Sequence, residues 1–166
     1  MNKLKKLTKE DFSYLAGFLD GDGCINAQIV KRDDYALGFQ IRVSITFFQK
    51  TKSHWFFIKL QNQLGYGTLR KRPDGMSEYA IVGPASVKNL LTQLKPYIVL
   101  KKPQLKLLLI IIEQMPHIKN DPTTFLKLCK KVDQFSTLNN SKKRTITHET
   151  VLSTLSPLIK EYICIP

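Results

Sequence analysis

The sequence predicts an α+β protein in which helices cover one face of a four-stranded antiparallel sheet and leave the other face open. Three observations predict it. Apolar residues recur at helical spacing from Phe12 to Leu19 and again beyond residue 84. Between those stretches lie two pairs of segments rich in β-branched and apolar residues. Each pair is joined by a short polar link, as in an antiparallel hairpin. At 166 residues the chain has room for one domain with a real core, spanning 1–166, and little room for a second; any disorder is expected at the extreme termini.

Taken in order, Thr8-Lys9-Glu10-Asp11 offers an N-cap with acids in the first turn, followed by Phe12, Leu15, Phe18 and Leu19 on a helix running to about Asp20. Gly21 and Gly23 are expected to end it. Strands follow over Cys24 to Val30 and Gly38 to Gln49, separated by the polar Lys31-Arg32-Asp33-Asp34. A second helix covers about Lys52 to Leu64 and stops at Gly65. Two more strands, Gly67 to Arg72 and Met76 to Val82, flank the turn-forming Pro73-Asp74-Gly75. Helices are then expected over 84–95, 102–115, 122–136 and 147–160, with Pro103, Pro116, Pro122 and Pro157 marking ends or kinks.

Apolar and charged contents of 43% and 23% are ordinary for a globular protein, but the charge balance is not. Twenty-six Lys and Arg against 13 acids give +13 and a pI near 9.7, which points to a polyanionic partner. The excess is spread along the chain, which suits a large anionic surface better than a small ligand. The most apolar run, Leu107 to Ile112, is far too short to span a bilayer. The N-terminal lysines resemble the start of a signal peptide, yet Asp20 and Asp22 interrupt what would follow. Cys24, Cys129 and Cys164 are odd in number and widely spaced, indicating neither a disulfide framework nor a zinc site. An intracellular, reducing setting without a membrane partner is expected.

On the open sheet face, Gln40, Arg42 and Ser44 alternate with Ile41, Val43 and Ile45, and Arg70 and Arg72 fall on one side of the third strand. A polar strand face is normally just wet. Arginines and glutamines two apart on a basic protein also suit base reading, because both make bidentate contacts in the major groove.

The stretch Tyr14 to Gly23, YLAGFLDGDG, carries the densest chemistry. Gly17 and Gly21, four apart, lie on one side of the helix and admit a close backbone, from another helix of this chain or from a symmetry mate. Asp22 falls at the negative end of the helix dipole, where a carboxylate needs a compensating cation. Mg²⁺, commonly held by one or two carboxylates plus water and phosphate oxygens, would serve; so would no metal at all, since a loop Asp beside a glycine is common.

Leu15 to Gly23 resembles the signature of the LAGLIDADG homing endonucleases, and the likeness extends over nearly the whole chain through Gln49-Lys50-Thr51, Leu91-Thr92-Gln93-Leu94, Ile111-Ile112-Glu113-Gln114, Leu138-Asn139 and Ser141-Lys142. The chain is most similar to the single-motif, homodimeric members from algal chloroplast introns. The resemblance implies an αββαββα fold with extra C-terminal helices, a DNA-binding sheet and a two-fold homodimer. Motif helices of two chains would pack at the axis through Leu15, Ala16, Gly17, Leu19 and Asp20, with Asp20 serving the helix end structurally. Asp22 and the Gly21 carbonyl would bind Mg²⁺, with Mn²⁺ able to substitute; Gln49 would position water and Lys101 would stabilise charge.

One basic residue of the family's pocket aligns with Ser53, so either Lys52 or His54 replaces it or the pocket works differently. DNA-facing residues implied by the resemblance are Asn26, Gln28, Arg32, Tyr35, Gln40, Arg42, Arg70, Arg72 and Glu78, with Lys142, Lys143 and Arg144 on phosphates. A strand pair of about ten residues extends ~30 Å, or ~9 base pairs, so a dimer would read ~18 to 20 base pairs. The implied activity is Mg²⁺-dependent hydrolysis of one phosphodiester in each strand, promoting intron homing in an organelle such as the chloroplast, with duplex DNA and a second copy as the only partners required. An RNA maturase, or a DNA-binding protein without catalysis, are the alternatives.

Overall fold

A computed structural model of the chain describes residues 6–118, 120–141 and 143–163, the last four as backbone only. The extreme termini, where disorder is expected, lie outside the described residues, as does Lys142.

Helix α1 (Lys9–Asp22) opens on a capping box: Thr8 Oγ1 accepts from the Asp11 N–H, and the Asp11 carboxylate accepts from the Thr8 N–H. It runs into β1 (Gly23–Lys31), then β2 (Phe39–Lys50), a 3₁₀ turn (Thr51–Ser53) and α2 (His54–Leu64). Strands β3 (Thr68–Lys71) and β4 (Met76–Val82) precede α3 (Pro84–Leu94), α4 (Lys102–Gln114), a 3₁₀ turn (Met115–His117), α5 (Pro122–Leu138) and α6 (His148–Ile163). The sheet order is β1-β2-β4-β3, and β4 pairs antiparallel with both β2 and β3. The αββαββα order, the sheet and the following helices are those the sequence predicts.

One detail differs. Gly21 does not end α1 but lies in its last turn; Gly23 ends it, because a Cβ there would sit 2.4 Å from Leu19 Cδ1 and 2.9 Å from the Leu19 backbone. The chain can turn from helix into strand that tightly only without a side chain. Pro157 lies inside α6, as the helix expected over 147–160 has it.

The chain folds as two compact units: residues up to Ile25 with Ser44–Leu105, and Asn26–Val43 with Lys106 onward. Strands β1 and β2 each pass from one unit into the other. In the first unit Phe47 stacks on Phe18 of α1 at 5.6 Å and on Tyr79 of β4 at 6.2 Å, and Phe57 of α2 completes a buried aromatic group. Such pairs contribute about 0.5–1.5 kcal/mol each beyond their burial. In the second unit the alternate residues Ala27 and Ile29 of β1 and Phe39, Ile41 and Val43 of β2 are buried, and α5 and α6 pack on each other with Cys129, Val132, Phe135, Val151 and Leu155 inside. Burial pushes the Cys129 thiol up to about 12, which keeps it inert at neutral pH.

Gly23→Ala is expected to destabilise the fold by about 1–3 kcal/mol, the usual cost of forcing atoms into a filled site. Urea unfolding measures it, and an unchanged midpoint would show that the α1–β1 junction tolerates a side chain.

Candidate active site and nucleic-acid interface

The two acids of the motif have opposite fates. Asp20 is held by a segment far along the chain: Oδ2 accepts the Val99 N–H at 2.7 Å and the Leu100 N–H at 3.1 Å, and Oδ1 accepts the Lys101 N–H at 3.0 Å. Lys101 closes the loop, its Nζ donating to the Asp20 carbonyl at 2.6 Å. Burial pushes the Asp20 carboxyl up, but the three backbone N–H groups and the Lys101 charge outweigh it, so it titrates below the usual carboxylate range. Asp22, two residues on, is exposed and makes no hydrogen bond or ion pair among the described residues.

The last turn of α1 contains no basic residue of its own. Lys101 therefore supplies, from another segment, the cation that the negative helix end favours. The Leu19 carbonyl takes the Gly23 N–H and the Asp20 carbonyl takes Lys101, while the Gly21 carbonyl, in the final turn, has no helical partner. At the end of α1 the exposed Asp22 thus directly follows Gly21 in the chain, and the Lys101 ammonium is held two residues before Asp22, at the Asp20 carbonyl.

Gln49, next to last in β2, lies opposite Ser77 of β4, two residues beyond Phe47, and so shares the helix-covered face. Its Oε1 accepts the Lys50 N–H at 3.0 Å. Ser77 is fully buried and holds His54 Nδ1 at 2.9 Å, with Thr51 Oγ1 at 3.4 Å on its other side. Of the two residues expected to replace a basic group at Ser53, His54 is thus tied into this hydroxyl chain, and Lys52 is exposed.

The exposed face of α1 corrects part of the expected dimer surface. Leu15, Ala16 and Leu19 are 2%, 0% and 0% exposed and are spent on this chain's own core. At 100° per residue they lie opposite Ser13, Gly17 and Gly21, all exposed, and a Cβ on either glycine would meet nothing within 4 Å. The small-residue stripe therefore runs through 13, 17 and 21; Ser13 was missed, although its spacing of four to Gly17 was there to read.

In the first unit's part of the sheet, Glu78 bridges two arginines. Arg70 lies 2.9 Å from Glu78 Oε2 and Arg72 3.2 Å from Oε1, while the second nitrogen of Arg72 reaches Asp74 at 2.6 Å. The Pro73-Asp74-Gly75 turn thus does more than reverse the chain. In the second unit the 31–39 turn displays Arg32, paired through two 2.8 Å hydrogen bonds to Asp34 and lying 5.4 Å over the Tyr35 ring. Its partner guanidinium holds Asp34 well down, at about 2. Gln28, Gln40 and Arg42 lie on the face of their strands opposite the buried residues, and Arg42 is exposed. Lys143 is exposed too. Arg144, expected at a phosphate, is instead engaged with the protein itself: Nη2 donates to Asn26 Oδ1 at 2.8 Å and to the Ala27 carbonyl at 2.7 Å.

No helix among the described residues is long and apolar enough to cross a membrane, and none of their His, Cys, Asp and Glu side chains cluster in threes as a metal site.

Comparison with known proteins places these features in context. Residues 15–112 match the family model described as LAGLIDADG endonuclease. The chain is 48% identical over 147 residues to the DNA endonuclease I-CvuI of Chlorella vulgaris, covering 89% of this chain and 91% of that protein. It is 43% identical over 153 residues to the DNA endonuclease I-CreI of Chlamydomonas reinhardtii, covering 92% and 93%. A crystal structure of I-CvuI in complex with its target in the presence of Ca superposes with a TM-score of 0.85 at 47% identity, covering 90% of this chain and 95% of that one. Another of I-CvuI, on the I-CreI target with Mg, matches equally and reveals DNA not cleaved.

The depressed Asp20 carboxyl makes a stability prediction with a definite sign. A group whose folded pKa is lowered contributes stability present above its unfolded value and lost as pH falls through the folded one. Asp20→Ala should therefore unfold at lower urea than the native chain at pH 6, with the gap narrowing below about pH 3.8, the ordinary aspartate value. A gap that stays constant down to pH 2 would show that the ionised carboxylate contributes nothing.

Proposed function

The chain belongs to the LAGLIDADG endonuclease family, and from that premise we propose that it is a site-specific homing endonuclease acting on duplex DNA as a homodimer. It binds a long, roughly two-fold target and hydrolyses one phosphodiester in each strand, promoting homing of its intron. The observation that carries this reading is that, of the motif's two acids, Asp22 is exposed while Asp20, two residues before it, anchors the Lys101 ammonium and backbone. The algal relatives support an organellar, chloroplast setting. Continuity of β1 and β2 through both compact units supports one domain over 1–166.

The residues fit a divalent cation completed from outside the chain. Asp22 and the Gly21 carbonyl would hold it, and the absence of a third clustered ligand among the described residues matches Mg²⁺, which keeps waters and takes phosphate oxygens. Divalent metals accompany DNA in the I-CvuI crystals; Mg²⁺ as the working ion, with Mn²⁺ able to replace it, is our assignment. When bound, such an ion supplies Lewis-acid stabilisation of charge on the phosphate.

The protein's own groups do the rest. Gln49, an uncharged donor and acceptor, orients the attacking water in line with the scissile bond. Lys101 counters the charge that develops on the phosphate, and its anchoring to Asp20 means that no reorganisation is needed at the moment of reaction. One such set per chain cuts one strand, so a two-fold pair of chains, meeting along Ser13, Gly17 and Gly21 with Asp20 at the same helix end, cuts both. Arg32, Tyr35, Gln28, Gln40, Arg42, Arg70, Arg72 and Glu78 read bases, and Lys143 and the undescribed Lys142 bind phosphates.

Asp22→Asn is expected to abolish cleavage of the target while binding survives, and Lys101→Met to slow cleavage roughly 10²–10³-fold. Cleavage selection on a randomised duplex library with Mg²⁺ reads both; equal cutting by Asp22→Asn would overturn the assignment, and RNA binding without cutting would favour a maturase. Gly17→Leu should leave a monomer in sedimentation and lose double-strand cleavage. A dimer that persists would place the two-fold axis elsewhere.

A further inference from the structure

We propose that Arg144 makes Asn26 a donor-only reader of DNA, so that each half of the target carries, opposite Asn26, guanine or thymine, whose major-groove edges have acceptors and no amino donor, rather than adenine or cytosine. The inference rests on the duplex-DNA reading above. Asn26 lies on β1 between the buried Ile25 and Ala27, and its side chain is therefore on the face opposite the core, as is that of Gln28. Three side chains and a strand carbonyl meet there. Arg144 donates Nη2 to Asn26 Oδ1 at 2.8 Å and to the Ala27 carbonyl at 2.7 Å, and Nη1 to the Val132 carbonyl of α5 at 3.4 Å. Asn139, just past α5, brings its Nδ2 to the same Asn26 oxygen at 3.5 Å.

A guanidinium has five donors and no acceptor. The atom of Asn26 facing Arg144 must therefore be its carbonyl oxygen, which removes the ambiguity that usually surrounds an amide's orientation. With Oδ1 occupied, the Nδ2 amino group is the polar edge that remains for a ligand. An unrestrained asparagine reads adenine by accepting from N6 and donating to N7 at once. Asn26 is denied that pairing. Its two N–H groups suit guanine, with O6 and N7, or thymine, with O4. Cytosine, whose major-groove polar group is the N4 donor, meets donor with donor. Arg144 is a positioning residue here: it sets which edge of Asn26 faces out.

The test is a binding selection on a randomised duplex library in Ca²⁺, comparing the native chain with Asn26→Asp. Aspartate keeps the Arg144 partner, and so the local fold, but has acceptors only. The native motif should show guanine or thymine at one position in each half-site. In Asn26→Asp that position, alone and in both halves, should move to cytosine by about tenfold, the worth of one well-placed hydrogen bond in the groove. Arg144→Ala, checked for folding by circular dichroism, should admit adenine at the same position. Adenine in the native motif there, or an Asn26→Asp motif unchanged throughout, would overturn this inference alone. A native chain that recovers no shared motif would sink the duplex-DNA reading and this inference with it.

Discussion

The structure depends on one contact between distant parts of the chain, the grip of Asp20 on residues 99–101. A helix that ends in two acids with no basic residue in its last turn is unfavourable by itself, because the dipole and both carboxylates place negative charge together. Three backbone N–H groups and an ammonium supplied from about eighty residues further on reverse that balance. The contact stabilises the end of α1, ties down the segment before α4 and holds the Lys101 ammonium at the Asp20 carbonyl. A lysine carries four flexible bonds, and holding its head group costs rotamer entropy. Here the cost is met in folding, by hydrogen bonds that do not involve a substrate.

The basic surface follows the same logic. A net charge of +13 gives no reason to expect restrained arginines, yet Arg32, Arg70 and Arg72 are each held by an acid. Exposed pairs of this kind add little stability, of order 0–1 kcal/mol. Their effect is on geometry. A planar guanidinium locked in one orientation offers its remaining N–H groups as a fixed fork, which distinguishes bases better than a mobile one. Asp34, held at about 2, stays charged through any physiological pH, so the Arg32 fork is not a pH-dependent feature.

Much of this was legible in the sequence, and the limits have physical causes. Helix and strand order followed from periodicity, and the start of β4 was placed to the residue because the Pro73-Asp74-Gly75 turn precedes it, with Gly75 taking φ +79°. The end of α1 was misjudged because two glycines compete there, and only the close approach to Leu19 decides for Gly23. The buried side of α1 was not separated from its exposed side, because Leu15, Ala16 and Leu19 belong to the signature and carry its resemblance whichever way they face. Long-range pairings were out of reach altogether. Nothing local in Asp20, Asn26 or Ser77 announces a partner at Lys101, Arg144 or His54, since those contacts are made by tertiary folding. A run of three cations at 142–144 also hides that the third is committed to Asn26 and the Ala27 carbonyl.

The incompleteness of the site has a consequence for control. Each chain presents one open carboxylate and one orphaned carbonyl at the end of α1, too few oxygens to hold a hard divalent ion firmly without help. In the proposed reading the missing ligands are phosphate oxygens, so the metal affinity of the free protein is low and rises only on DNA. A nuclease built that way does not carry a finished catalytic centre through the cell. It assembles one where the sheet has already engaged a target, and recognition then precedes hydrolysis without any moving part in the protein. Asp20 is what permits this arrangement, because by anchoring Lys101 it leaves Asp22 uncommitted until the substrate arrives.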